Sequence, residues 1–169
     1  MADLKFTIAT LVTNHDEYEA MRETFSAKGF DGDCEFVMLD NSETNTYDGY
    51  RGFNTVLQKA RGEYVILCHQ DVRLDFDGRD VLEKRLAELD EHDPAWALAG
   101  NAGGLENGSV VTRITDVNGD DRRVGTFPSR VFSLDSNFIL VKNETRVAFS
   151  NDLHGYYFYG SDILSLIHI

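Results

Sequence analysis

The chain has 169 residues, with 29 Asp and Glu against 16 Lys and Arg, and a formal net charge of −13. A chain of this length buries roughly 70% of the surface it exposes when unfolded, so one domain can fold without disulfides or a structural metal. So acidic a surface repels phosphate backbones, and no Lys/Arg cluster offsets it, which argues against a nucleic-acid partner.

Phe6 to Val12 is apolar and β-branched and predicts a first strand. Met1-Ala2-Asp3-Leu4-Lys5 runs straight into that strand and does not read as a signal peptide. No apolar run approaches the roughly 20 residues of a membrane span, so cytoplasmic residence is the expectation. Asn14 offers an N-cap with Glu17 three residues on, and Tyr18, Met21 and Phe25 follow at helical spacing up to Gly29. Phe36 to Leu39 predicts a second strand, followed by the polar stretch Asp40 to Asn45. Tyr50, Phe53, Leu57 and Ala60 mark one face of a second helix, which Gly62 stops.

Tyr64 to Cys68 is continuously apolar, as a strand covered on both faces is. Asp80 and Glu83 open a third helix with Leu82, Leu86 and Leu89 inward, and Ala95 to Ala99 is a candidate fourth strand. The alternation predicts an α/β fold, a mostly parallel central sheet with helices on both faces. The second half is less regular. Asn101 to Gly108 reads as a loop, and Val110 to Val117 and Val131 to Lys142 hold strand candidates either side of the turn Asn118-Gly119-Asp120-Asp121. Asp116, Asp120 and Asp121 are assigned to that solvated turn, and Trp96 to the core. Cys34 and Cys68 sit in apolar runs without metal-ligand spacing and are expected as buried thiols. One domain, 1–169, is expected. The uncapped apolar end after Ser161-Asp162 suggests a C-terminally truncated chain.

Open parallel sheets bind ligands outside the carboxyl ends of their strands. Three such ends are polar here: Thr13-Asn14-His15-Asp16, Asp40-Asn41-Ser42 and His69-Gln70-Asp71. All three should open into one crevice. No Gly-rich fingerprint follows the first strand, and neither a Walker-type loop nor a Gly-x-Ser-x-Gly elbow occurs. What remains is a nucleotide held by side chains, with or without a metal.

Val12-Thr13-Asn14, Asp40-Asn41-Ser42, Asn54, Ala60-Arg61-Gly62-Glu63-Tyr64, His69-Gln70-Asp71 and Leu134-Asp135-Ser136-Asn137-Phe138 follow one another in an order and spacing that resembles glycosyltransferase family 2, of GT-A fold. The His-Gln-Asp-Val form is similar to a less-studied branch of that family. The resemblance implies a nucleotide-diphosphate sugar as donor and a saccharide or other hydroxyl compound as acceptor, joined with inversion, with 1–100 as the nucleotide-binding half and 101–169 as the acceptor-side half. Asp40 would contact base or ribose, and Thr13, Asn14, Asn41, Ser42, Asn54 and Gln70 would line the same pocket. Asp71 would hold a divalent cation, Mn²⁺ or Mg²⁺, on the two phosphates. Where the family has Asp-x-Asp, His69 replaces the first Asp, either ligating the metal or bonding a phosphate. By the same resemblance the catalytic base is Asp152, with Asp162 second and His154 third, although the acidic residue expected just before Asp162 is replaced by Gly160 and Ser161. Asp135 and Asn137 would flank the crevice. Tyr156 to Tyr159 would form a stacking platform for an acceptor sugar, or alternate rings would be core.

Two rivals stay open: a non-catalytic nucleotide-sugar-binding domain, and a nucleotidyltransferase. The second normally needs a Gly-rich basic loop after the first strand, and Thr13-Asn14-His15-Asp16 lacks one.

Overall fold

A computed structural model describes residues 4–116 and 118–167. Met1–Asp3, Val117 at the expected end of one strand, and His168 and Ile169 beyond the expected last helix lie outside the described residues. The first six elements follow the expected order: β1 (Leu4–Val12), α1 (His15–Ala27), β2 (Cys34–Asp40), α2 (Arg51–Lys59), β3 (Gly62–Cys68) and α3 (Arg79–His92). β1 pairs in parallel with both β2 and β3, with Val12 opposite Asp40 and Ala9 opposite Leu67. Three strand ends therefore reach the same edge.

Successive residues of a strand point to opposite faces, and both faces here are apolar. Phe6, Ile8 and Val12 of β1, with Tyr64, Ile66 and Cys68 of β3, pack with Tyr18, Met21 and Phe25 of α1 and Leu86 of α3. Ala9, Val65 and Leu67 face the other way, onto Phe53, Val56 and Leu57 of α2. Helices on both faces are as expected.

The sheet itself needs a correction. After β4 (Leu98–Gly100) the chain leaves it for β5 (Ala102–Gly104), β6 (Val110–Thr115), β7 (Asp121–Val124) and β8 (Ser133–Leu134), then returns as β9 (Phe138–Lys142). The main sheet has the order β2-β1-β3-β9-β4, and β9 runs antiparallel to both neighbours. It is a mixed sheet, not a mostly parallel one. The continuous apolar run Phe138 to Val141 marks a strand buried on both faces, but that pattern carries no information on direction.

β7-β6-β5-β8 form a second, antiparallel sheet, so the Gly/Asn-rich stretch expected as a loop contributes β5. The fourth strand starts at Leu98, not Ala95. Asp93 turns the chain first, accepting hydrogen bonds from the backbone N–H groups of Ala95 and Trp96. Trp96 stacks on Tyr64 with ring centroids 6.0 Å apart and is core, as expected. Cys68 is buried, whereas Cys34 is only half-buried.

A 3-10 turn (Asn143–Thr145) precedes α4 (Tyr159–Ile167), which starts two residues before the expected Ser161. A Cβ on Gly160 would lie 2.3 Å from the Leu134 carbonyl oxygen, so only glycine lets α4 dock against β8. Among the described residues no helix is long and apolar enough to cross a membrane.

Candidate functional site

The turn after β1 is built by its own side chains and by β3. Asn14 caps α1, its Oδ1 accepting from the backbone N–H groups of Asp16 (3.0 Å) and Glu17 (3.3 Å). Glu17 does not close the capping box. Its Oε2 accepts instead from Gln70 Nε2 at 2.9 Å. The Gln70 Oε1 accepts from the N–H of Thr13 (2.8 Å) and of Asn14 (3.0 Å), and Nε2 also donates to Thr13 Oγ1 at 3.1 Å. Gln70 thus stitches the end of β3 to the end of β1, and its amide is fully engaged within the protein.

The end of β2 is joined to the same turn. Asn41 N–H donates to the Val12 carbonyl at 2.7 Å, extending the ladder by one bond. The buried Asn41 amide clamps the backbone of Tyr47, donating to its carbonyl (2.8 Å) and accepting from its N–H (2.9 Å). The loop 42–46 is closed in this way. Asp40 stays exposed, accepting from Ser42 N–H at 2.9 Å and facing His15 Nε2 at 3.2 Å. Hydrogen bonding from Ser42 first, and His15 after it, holds the Asp40 carboxyl down at about 2.

His69 and Asp71 follow the end of β3. His69 N–H bonds the Asn137 carbonyl at 3.0 Å, so the Asp135–Asn137 segment does border this edge. The His69 Nε2 lies 3.1 Å from the Tyr159 hydroxyl, which donates to the Ser136 carbonyl at 3.0 Å. Tyr159 is 2% exposed, and burial pushes its phenol up, so the hydroxyl keeps its proton. Asp71 is exposed and forms no hydrogen bond or ion pair among the described residues.

Thr13, Asn41, His69, Gln70 and Asp71 line one cleft of about 280 Å³ with Tyr156 and Tyr157. A larger hollow of about 560 Å³, bounded by Leu105, Glu106, Arg130 and Phe132, holds none of the strand-end groups. We place the site at the smaller cleft, because that is where the unengaged charge and the polar strand ends meet.

Other expected residues are elsewhere or otherwise occupied. The buried Asn54 amide brackets Phe149, donating to its carbonyl (2.9 Å) and accepting from its N–H (2.8 Å), and does not line the cleft. Both Asp162 oxygens accept from Ser150, from N–H at 2.8 Å and Oγ at 2.6 Å. Asp152 and His154 are exposed, lie outside the cleft lining, and have no side-chain partner among the described residues. The aromatic run divides. Tyr156, Tyr157 and Phe158 are exposed while Tyr159 is core, so the rings do not alternate between surface and core. Two contacts fix its backbone: Gly49 N–H to the Gly155 carbonyl and the Tyr50 hydroxyl to the Tyr157 carbonyl, both 2.8 Å. Sequence reasoning missed Tyr159 as a partner of His69, and Tyr50 and Ser136, because nothing in a one-dimensional pattern pairs residues 90 positions apart.

Among the described residues, no three His, Cys, Asp or Glu side chains converge on a point as a metal-binding group. A divalent ion carried on a diphosphate needs less: one or two carboxylates, with phosphate oxygens and water completing its shell. The unengaged Asp71 carboxylate fits that mode. His69 fits it through Nδ1 alone, since Nε2 is committed to Tyr159.

The fold is shared with solved structures. It matches Staphylococcus aureus TarS 1–349 with a TM-score of 0.57 over 95% of this chain at 15% identity, and the same protein in complex with UDP with a TM-score of 0.57 at 16% identity. This chain spans 54% of each of those TarS chains, about half their length. A197 from STIV matches with a TM-score of 0.56 at 12% identity, over 96% of this chain and 77% of its own. At such identities the likeness is one of fold. No family model matches the chain. A Fuscovulum blasticum protein named "ATP synthase subunits region ORF 6" is 39% identical over 167 residues, 95% of this chain and 67% of its own length. The chain belongs to the same family as that protein, whose name assigns no activity.

Proposed function

We propose that this chain carries the donor site of a glycosyltransferase that moves a sugar from a nucleoside diphosphate to a hydroxyl acceptor. The observation that carries the reading is the junction of three strand ends, with Gln70 and Asn41 bonded back to the β1 turn and the unengaged Asp71 carboxylate beside them. Support comes from the TarS structures of the same fold, which were solved with UDP and with UDP-GlcNAc.

In this reading Asp40, ionised by Ser42 and His15, receives the ribose or base hydrogen bonds, with Ser42 bonded to it and Thr13 at the neighbouring strand end. Asn41 and Gln70 act by shape, their amides holding the backbone at the pocket, while Asn54 ties α2 to Phe149 away from it. Asp71, with His69 adjacent, would hold a Mn²⁺ or Mg²⁺ ion. Such an ion supplies charge neutralisation for the departing diphosphate. The acceptor approaches past Tyr156 and Tyr157. Its hydroxyl oxygen forms a bond to the anomeric carbon as the bond from that carbon to the diphosphate oxygen breaks, which inverts the centre. The hydroxyl proton passes to a carboxylate. Of the two carboxylates on the 150–162 segment, Asp162 is held by Ser150, and Asp152 is the unengaged one.

Titration calorimetry with UDP and GDP, with and without Mn²⁺, tests the donor site, and binding of neither by folded protein refutes it. The engagement of Asp162 favours one second reading, a donor-binding domain without transfer. Release of free sugar from a bound nucleotide sugar separates the two, since a binding domain releases none.

A further inference from the structure

The contacts around Tyr159 determine which nitrogen of His69 is available to a ligand. The Tyr159 hydroxyl has one proton and two polar neighbours, the Ser136 carbonyl at 3.0 Å and His69 Nε2 at 3.1 Å. A carbonyl oxygen only accepts, so the hydroxyl proton belongs on Ser136. With that proton committed, the hydroxyl lone pair faces Nε2, and the contact is attractive only if Nε2 carries a hydrogen. The reverse assignment would set two lone pairs against each other at the Ser136 carbonyl.

The support is rigid. The Tyr159 ring is packed by Phe53 (centroids 5.5 Å apart) and Phe149 (5.9 Å). Gly160, which tolerates no Cβ against the Leu134 carbonyl, pins the helix that carries it. A metal-binding histidine is commonly held by a partner on its other ring nitrogen, which fixes the tautomer and turns the remaining lone pair to the ion.

We infer that Tyr159, anchored on Ser136, is a positioning residue that holds neutral His69 as its Nε2–H tautomer and so leaves Nδ1, in the cleft that Asp71 also lines, as a nitrogen donor selecting first-row transition ions over Mg²⁺. This rests on the donor-site reading above. Imidazole nitrogen suits transition ions, whereas Mg²⁺ is held by oxygen and gives up water reluctantly. One carboxylate oxygen and one imidazole nitrogen therefore discriminate where two carboxylates would not.

The test uses ¹⁵N-histidine NMR of the intact chain under conditions where the rings are neutral, with calorimetry of UDP binding in Mn²⁺, Co²⁺, Mg²⁺ and chelator. The expected His69 spectrum has a protonated Nε2 and an unprotonated Nδ1. The ion affinity of the UDP complex should be at least about tenfold higher for Mn²⁺ and Co²⁺ than for Mg²⁺. Tyr159→Phe keeps the ring and removes the hydroxyl. It should mix the two tautomers and weaken Mn²⁺ binding about ten- to a hundredfold. His69→Ala should bring the Mn²⁺ and Mg²⁺ affinities together. A wild-type His69 protonated on Nδ1 overturns the inference without reference to any variant. Equal support of UDP binding by Mn²⁺ and Mg²⁺ also overturns it, while leaving the donor site standing. Failure of UDP to bind under every condition instead removes the donor site, and the tautomer is still read from the spectrum.

Discussion

Asp71 and Asp40 are both strand-end carboxylates, and their surroundings separate their roles. Asp71 is exposed and makes no hydrogen bond or ion pair among the described residues, so its removal should cost the fold little. Asp71→Ala should leave the urea midpoint unchanged and abolish the cation dependence of UDP binding, both read on one preparation. Asp40 is held near 2 by Ser42 and His15, below the ordinary carboxylate value of about 4. A depressed carboxyl stabilises the native state above its unfolded value and loses that contribution as pH falls through the native one. The lowered carboxyls of Asp33, bonded to Arg79, and Asp90, bonded to Lys142, act in the same direction. Stability should therefore decline between pH about 4 and about 2, and Asp40→Asn should flatten part of that decline in acid-denaturation curves.

Side-chain amides add specific ties between elements that the apolar clusters pack together. Asn54 joins α2 to the backbone of Phe149, and Asn54→Ala strands a buried N–H and C=O, a loss of about 2–4 kcal/mol by urea denaturation. Gln70→Ala frees the backbone N–H groups of Thr13 and Asn14 but exposes them to water, so about 1–2 kcal/mol is expected, together with weaker UDP binding. The sequence marks these residues as special but not in what way. The family resemblance leads one to expect Asn41, Asn54 and Gln70 in a pocket, but it cannot tell a ligand contact from a scaffold contact. The helices and the first three strands were legible because their periodicity is local: Tyr18, Met21 and Phe25 fall on one face, and Val65 and Leu67 alternate with Ile66 and Cys68. The direction of β9, the second sheet and the Asp162–Ser150 clamp were not, since each depends on residues distant in the chain. Gly160 shows why a motif position can be empty. Against the Leu134 carbonyl there is no room for the acidic side chain that the family resemblance leads one to expect near there.

At the scale of the molecule, strands from residues 4–100 and 138–142 build one sheet. β3 lies between β1 and β9, and β4 is joined to the rest only through β9. During synthesis, residues 62–68 leave the ribosome some seventy residues ahead of the strand that covers their second edge. Until residues 138–142 emerge, the nascent chain exposes Tyr64 to Cys68 as an unpaired apolar border, the kind of template on which other chains nucleate aggregates. A polypeptide ending at Gly100 should therefore precipitate or stay molten on expression, while a chain extended through α4 unfolds in one cooperative transition by circular dichroism. Completion of the domain is a late, long-range event, and translation pauses within residues 100–138 would lengthen the interval in which holdase chaperones are needed.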